Sequence, residues 1–187
     1  MVEDRNSLSD AIEYQDEAYF DELGRRRPAP RPFDSELLRE PATALAFRKP
    51  IVLAPSDSVT DAMRAMQSEH RGAVLITQDG SPASRVIGIF TERDVLFRIV
   101  DGGRNPAVLA LGEVMTEEPE CLGDDQTIAE VLHEMSVGGF RHVPIVDSEG
   151  HPVFVISVRD VVQFLVEAFP REILNLSPDR QRSREGG

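Results

Sequence analysis

Several things are scarce in this sequence, and each shortage excludes a class of protein. Cys121 is the only cysteine, so no internal disulfide can form, which favours a reducing compartment. Tryptophan is absent, and no apolar run approaches the roughly 20 residues that a membrane helix needs. The acidic start, MVEDRNSLSD, is unlike a secretory signal. We therefore expect a cytoplasmic protein with no membrane partner.

Positive charge is also scarce. The formal net charge is -13, and residues 47–170 alone carry 19 acidic and 10 basic side chains. A protein that binds a polyanion needs a basic surface that releases counterions. We therefore expect no nucleic-acid partner, and any phosphate bound by this chain must find a local cluster of positive groups.

Motifs for catalysis and for metal binding are missing as well. The sequence has no phosphate-loop glycine pattern, no HExxH and no GxSxG. Cys121 with His133 or His142 is the one candidate for a thiol nucleophile, but nothing places a base beside it. The four histidines, at 70, 133, 142 and 151, lack ligand spacing. We expect no enzyme, no catalytic residue and no metal site.

What the sequence does contain is an internal repeat. When the chain is aligned with itself, one apolar helical face falls on another, with i, i+3, i+4, i+7 spacing in both: Val59, Ala62, Met63 and Met66 on Ile128, Val131, Leu132 and Met135. Two short apolar strands follow each helix, at 73–77 and 86–90 and at 142–146 and 152–156. A second helix then follows in each half, over 91–100 and 157–166. A short β-prone segment precedes each unit.

Each unit thus has the order β-α-β-β-α, and two such units must pack together to bury enough surface. The predicted fold is α/β (α+β), with repeat 1 over 47–106 and repeat 2 over 107–170. Residues 1–46 form an acidic arm with an Arg/Pro-rich linker, and 171–187 a disordered tail. The arm is interpreted either as loosely held or as a segment that docks on a partner or a second subunit.

The polar motif S/T-x-x-D occurs where the last strand of each unit meets its last helix, as Thr91 with Asp94 and Ser157 with Asp160. One interpretation is a capping box that only stabilises the helix start. The other is a ligand site, in which free N–H groups of the helix N-terminus form a cradle and the carboxylate grips both hydroxyls of a ribose. The two interpretations are compatible.

The order of these motifs resembles a tandem pair of CBS domains, the cystathionine-β-synthase type, also called a Bateman module. The resemblance covers about 48–168 and is carried by VMT (114–116), GGFRHVPIVD (138–147), GIFTERD (88–94) and ISVRD (156–160). It implies that the repeats pair about a pseudo-two-fold axis and form two clefts. It also implies binding of adenine nucleotides or S-adenosylmethionine, regulation of another protein, and association of two modules into a homodimer.

The resemblance also implies roles for residues of the first cleft, here called the Asp94 cleft. Thr91 and Asp94 would hold the ribose, and Ile89 would flank the adenine. Arg141 and His142, from the other repeat, would donate to a phosphate. We rank this cleft first.

The second cleft, called the Asp160 cleft, takes the equivalent residues, which are Asp160, Ser157, Val155 and the adjacent Arg71. Gly72 and Ala73 stand where the first cleft has its cationic pair, so we expect this cleft to be poor in charge. Phe154 replaces Gly88 of repeat 1, and we expect its bulk to narrow the cleft.

The functional hypothesis is a non-catalytic energy or metabolite sensor that acts in trans on an unidentified protein. AMP is the preferred ligand, with ADP, ATP or S-adenosylmethionine as alternatives. No cofactor is required, although Mg²⁺ can arrive with a nucleotide. The rival hypothesis is a ligand-free scaffold whose repeats only mediate dimerisation or other assembly.

Overall fold

A computed structural model describes residues 35–45 and 48–169 of the chain. The described residues belong to one structural unit. The part of the predicted acidic arm and Arg/Pro-rich linker that precedes residue 35, and the tail predicted over 171–187, lie outside the described residues.

Repeat 1 builds a four-stranded sheet and two helices. Its elements are β1 (Val52–Leu53), α1 (Val59–Glu69), β2 (Ala73–Thr77), β3 (Val86–Thr91) and α2 (Glu92–Asp94), which continues as a π-helical segment (Val95–Val100). Strand β1 pairs in parallel with β2, and β2 pairs antiparallel with β3. The fourth strand, β4 (Thr116–Glu117), comes from the first part of repeat 2 and pairs antiparallel with β3 at the edge of this sheet.

Repeat 2 has the same order on a three-stranded sheet. Its elements are β5 (Leu122–Gly123), α3 (Ile128–Val137), β6 (His142–Val146), β7 (Pro152–Ser157) and α4 (Val158–Ala168). Strand β5 is parallel to β6, and β6 is antiparallel to β7. The predicted β-α-β-β-α order is therefore confirmed in both halves.

Each repeat buries its own apolar core between its first helix and its sheet. Side chains alternate between the two faces of a strand, so every second residue of β7 is buried. In β2 all five residues are buried, so both of its faces are covered. Phe90 is completely buried in the core of repeat 1, and Ile145 and Ile156 are completely buried in the core of repeat 2. Ser58 caps α1 and Thr127 caps α3, in each case through a bond to the N–H three residues on.

A short 3₁₀ turn lies ahead of the first helix of each repeat, and each turn packs in the core of the other repeat. The turn Ala42–Leu45, which precedes repeat 1, packs in the core of repeat 2, whereas Leu111–Glu113 packs in the core of repeat 1. The backbone bridges Pro41–Thr127 and Ala110–Ser58 are equivalent when the two repeats are aligned. Residues 35–45 therefore differ from the loosely held arm that was one interpretation of 1–46.

The second helix of repeat 1 also differs from the regular helix expected over 91–100. After α2 the backbone widens, and the Asp101 N–H donates to the Leu96 carbonyl oxygen five residues earlier, at 3.0 Å. Ile99 stays in the core, but Leu96, Phe97 and Val100 are left more than half exposed.

A small apolar cluster joins the two repeats. Ala73, Leu75 and Ile89 of repeat 1 pack with Val155 of repeat 2. The Val86 N–H donates to the Gly150 carbonyl oxygen at 3.0 Å. Because Ile89 of β3 and Val155 of β7 belong to this cluster, the strand ends that carry both S/T-x-x-D motifs lie beside the junction of the repeats.

Candidate functional site: two clefts between the repeats

The Asp94 cleft is a cavity of about 810 Å³ between the repeats. Its walls include the five residues predicted for it, which are Ile89, Thr91, Asp94, Arg141 and His142. The structure therefore brings together groups from both halves of the chain.

Asp94 is held in place by the capping box. The Thr91 N–H and hydroxyl both donate to Asp94 Oδ2, at 2.8 and 2.7 Å, and the Asp94 N–H donates back to Thr91 Oγ1 at 3.4 Å. Both interpretations of the motif thus remain compatible, because a carboxylate oxygen can accept further hydrogen bonds.

Arg98 is a residue of this cleft that the sequence analysis missed. Its Nε lies 3.2 Å from Asp94 Oδ1, and its guanidinium also donates to the carbonyl oxygens of Val114 and Met115, both at 2.6 Å. The sequence did contain a signal for this ion pair, because Arg98 follows Asp94 by four positions, which is about one helical turn. Arg98 thus connects Asp94 to the segment Val114–Met115, which directly precedes β4.

The Asp160 cleft is smaller, about 360 Å³, and its walls include Arg71, Val155, Ser157 and Asp160 as predicted. The Ser157 N–H and hydroxyl donate to Asp160 Oδ2 at 2.7 and 2.6 Å. No Arg98 equivalent exists, since Phe164 stands there, and Oδ1 of Asp160 has no ion pair within residues 35–45 and 48–169.

The expected cradle of free helix N–H groups is largely used by the protein itself. The Glu92 N–H donates to the Gly72 carbonyl oxygen at 3.0 Å, and the Val158 N–H donates to that of Arg141 at 3.1 Å. The residue before each middle strand thus satisfies the first donor of the following helix. Recognition of a ligand would depend more on side chains than the sequence analysis expected.

The Asp160 cleft is smaller, as expected, but not for the expected reason, and its charge differs from expectation. Phe154 does not narrow it, because strand alternation turns this side chain into the core of repeat 2, where it is 6% exposed. The cleft is not poor in charge either, because Arg48 and Arg141 line it in addition to Arg71. Four arginines and two carboxylates line this cleft, against three arginines and four carboxylates in the Asp94 cleft.

Two basic groups of the clefts have lowered pKa values. Burial lowers the pKa of His142, while the charges of Glu92 and Asp160 oppose the effect. Burial also lowers the pKa of Arg71, the nearby charge of Arg48 adds to this, and the charges of Asp160 and Glu69 oppose it. The Arg71 guanidinium donates to the Lys49 carbonyl oxygen at 2.7 Å. Two guanidinium groups therefore lie close together in an otherwise acidic molecule.

Cys121 does not have the environment of a nucleophile. Burial, together with the charge of Glu120, raises the pKa of its thiol to about 11. Its Sγ lies 3.3 Å from the Pro119 carbonyl oxygen. Among the described residues no group of three or more His, Cys, Asp or Glu side chains is arranged to hold a metal ion, and no helix is long and apolar enough to cross a membrane.

Two pseudo-symmetric β-α-β-β-α repeats that enclose paired clefts define a class of tandem-repeat module. The profile of the CBS domain matches residues 42–101 and 111–167, and the chain belongs to this family. It is 34% identical over 113 residues to the CBS domain-containing protein CBSCBSPB3 of Arabidopsis thaliana, covering 60% of this chain. That match spans 20% of the relative, so the chain corresponds to about a fifth of its length.

Solved structures agree with this assignment. A CBS-domain containing protein from Agrobacterium tumefaciens superposes with a TM-score of 0.60 at 25% identity, covering 72% of this chain and 98% of that one. A CBS domain protein from Pyrobaculum aerophilum, solved in complex with AMP, gives a TM-score of 0.61 at 22% identity, covering 69% and 98%. The family and the predicted fold are thereby confirmed.

Proposed function

We propose that this chain is a non-catalytic regulatory module that binds an adenosine-containing ligand in the clefts between its repeats. The observation that carries the proposal is that each cleft combines a capped carboxylate from one repeat with cationic groups from the other. The AMP complex of the Pyrobaculum aerophilum protein supports the choice of ligand. AMP is our first choice, before ADP, ATP and S-adenosylmethionine, and Mg²⁺ would enter only with a nucleotide.

In the proposed complex the ribose hydroxyls donate to the carboxylate of Asp94 or Asp160, which the capping box already orients. The adenine packs beside Ile89 or Val155, and the phosphate accepts from Arg141 and His142. Pre-oriented groups lose little side-chain entropy on binding, which favours affinity. Because the walls of each cleft come from both repeats, a ligand that contacts both walls stabilises one angle between the repeats.

The regulated partner is proposed to be a separate protein that distinguishes these angles. A second copy of the chain is proposed as well, because apolar side chains on the last helix of each repeat are exposed, among them Phe97 at 61% and Val162 at 53%. Sedimentation of wild type and Phe97→Glu tests the homodimer, which we expect the substitution to dissociate. The cytoplasmic location stays a prediction.

The ligand-free scaffold is the second candidate, and the exposed apolar faces favour it. A scaffold needs the caps at Asp94 and Asp160 for helix stability but does not need Arg141 in the clefts. The two candidates therefore differ in ligand binding and not in assembly.

Calorimetric titration with AMP, ADP, ATP and S-adenosylmethionine separates them. We expect AMP binding to wild type and a loss of affinity of about tenfold or more, equivalent to about 1.4 kcal/mol, in the double variant Asp94→Asn and Asp160→Asn. Asparagine still accepts the capping hydrogen bond, so the helix starts are kept.

Asp61→Asn is the matched control. Asp61 closes the same kind of cap, accepting from Ser58 Oγ at 2.6 Å, but lines neither cleft. Its substitution should leave AMP affinity unchanged. Binding that survives the double variant would place the site elsewhere, and no binding by any of the four ligands would favour the scaffold.

A further inference from the structure

Glu92, Arg141 and His142 line both clefts, so the two cavities share one wall. Arg141 is exposed, and its guanidinium makes no hydrogen bond or ion pair within residues 35–45 and 48–169. A flexible arginine with no fixed partner can turn its fork toward a phosphate in either cleft, but it can serve only one at a time.

The reason for a single wall lies at the pseudo-two-fold axis. The alignment that relates the repeats places Gly72 opposite Arg141 and Ala73 opposite His142. A Cβ atom on Gly72 would lie 2.8 Å from His142 Nε2 and 3.2 Å from Glu92 Oε2. A side chain at position 72 would therefore displace the His142 ring, and the glycine of repeat 1 leaves this space to the histidine of repeat 2.

Charge ranks the clefts for a phosphate-bearing ligand. Beyond the shared wall, the Asp160 cleft adds three arginines and one carboxylate, whereas the Asp94 cleft adds two arginines and three carboxylates. Asp160 also keeps one carboxylate oxygen without an ion pair, whereas Asp94 is paired to Arg98. A nucleotide should therefore enter the Asp160 cleft first.

We infer that the two clefts are antagonistic for phosphate-bearing ligands: a phosphate in the Asp160 cleft takes Arg141 and so weakens binding of a second phosphate in the Asp94 cleft. The inference rests on the proposed function. It concerns phosphate alone, so a nucleoside without phosphate should occupy either cleft without this penalty. The module would then carry one tightly bound nucleotide and leave the larger cleft open to a less charged ligand.

Calorimetry with AMP and, separately, with adenosine tests this antagonism. It compares wild type with the double variant Asp160→Asn and Arg71→Met, which removes two charged groups that line the Asp160 cleft but not the Asp94 cleft. Wild type should show two AMP events, the second weaker. In the double variant the remaining event reports the Asp94 cleft alone, and it should be about tenfold tighter than the second wild-type event, a typical coupling factor. Adenosine should show no such gain. Thermal unfolding of each variant checks that it is folded.

Arg141→Met supplies the second readout. If the shared arginine couples the clefts, this substitution should abolish the dependence of one AMP event on the other, whereas direct repulsion between two phosphates would persist and overturn the inference. Equal affinities for the second wild-type event and the double-variant event would also overturn it while leaving the proposed function intact. Absence of binding by both AMP and adenosine would instead contradict the proposed function itself.

Discussion

Repeat 1 and repeat 2 follow the same chain path but place different side chains beside their common axis. Where repeat 2 has Arg141 and His142, repeat 1 has Gly72 and Ala73, and the His142 ring lies where a side chain on Gly72 would begin. The comparison teaches that near a pseudo-two-fold axis two equivalent positions compete for one space. The glycine of repeat 1 thus leaves room for the histidine ring of repeat 2.

The junctions of strand and last helix give a second comparison. Thr91 with Asp94 and Ser157 with Asp160 form the same capping box, and the bond from the acid's own N–H back to the hydroxyl is 3.4 Å in both. Of these two acids, only Asp94 of repeat 1 forms an ion pair with an arginine among the described residues, which is Arg98. The same local motif thus leaves Asp94 in an ion pair and Asp160 without one among the described residues, because the two motifs have different neighbours outside the motif.

The largest effect on stability is expected from substitutions in the two 3₁₀ turns, each of which packs in the core of the other repeat. Leu45 and Leu111 are 1% and 0% exposed, although neither lies in a segment that was predicted to form a helix or a strand. We expect Leu45→Ala and Leu111→Ala each to lower the free energy of unfolding by about 2–5 kcal/mol, because each leaves a cavity. Urea denaturation monitored by circular dichroism measures both changes.

Leu38→Ala is a useful control, since Leu38 lies in the neighbouring 3₁₀ turn and is only partly buried. It should cost less than Leu45→Ala. A cost for Leu45→Ala below about 0.5 kcal/mol, the range typical of surface substitutions, would show that the turn is not part of the core of repeat 2.

The repeat and its element order were predictable because apolar periodicity is local information. The helical faces of α1 and α3 can be read from residues three and four apart, and the strands from short apolar runs bounded by turns. The exchanged turns were not predictable in this way. Ala42 and Leu45 are too few to form a pattern, and their partners Gln126 and Ile128 belong to the other repeat, far along the chain.

Loss of Arg98 should give the next largest effect. Arg98→Met removes charged hydrogen bonds to the carbonyl oxygens of Val114 and Met115 and the ion pair with Asp94. We expect the free energy of unfolding to fall by about 1.5–3 kcal/mol, the range for hydrogen bonds to charged groups. Arg93→Met is the matched control, because Arg93 is an exposed neighbour on the same helix, and we expect it to change stability by at most about 0.5 kcal/mol. Equal denaturation midpoints for both variants would contradict the role given to Arg98.

The candidate site was predicted in part. The residues assigned to each cleft line that cleft, because strand ends and helix starts of a repeat are placed by its order of elements. The charge of the Asp160 cleft was not foreseen. Arg48 precedes β1, and Arg141 reaches across the axis, so both enter this cleft through tertiary packing that no local pattern records.

The smallest expected effect is a pH dependence that only repeat 2 can supply, since Ala73 cannot titrate. Burial lowers the pKa of His142 below its usual 6.5, with Arg141 and Arg93 adding to the effect and Glu92 and Asp160 opposing it. Near pH 6.5 the unfolded chain therefore binds more protons at this residue than the folded chain does. Stability then rises with pH in this range and falls as the pH drops below 6.5.

His142→Ala removes this contribution, so the variant should lose less stability than wild type when the pH falls from about 7.5 to about 5.5. The cost of the deleted ring is the same at both pH values and cancels when the two differences are compared. Urea denaturation at each pH measures them, with the exposed His133→Ala as the control that should behave like wild type. A larger loss in His142→Ala than in wild type would mean that the charges of Glu92 and Asp160 outweigh burial and raise the pKa of His142.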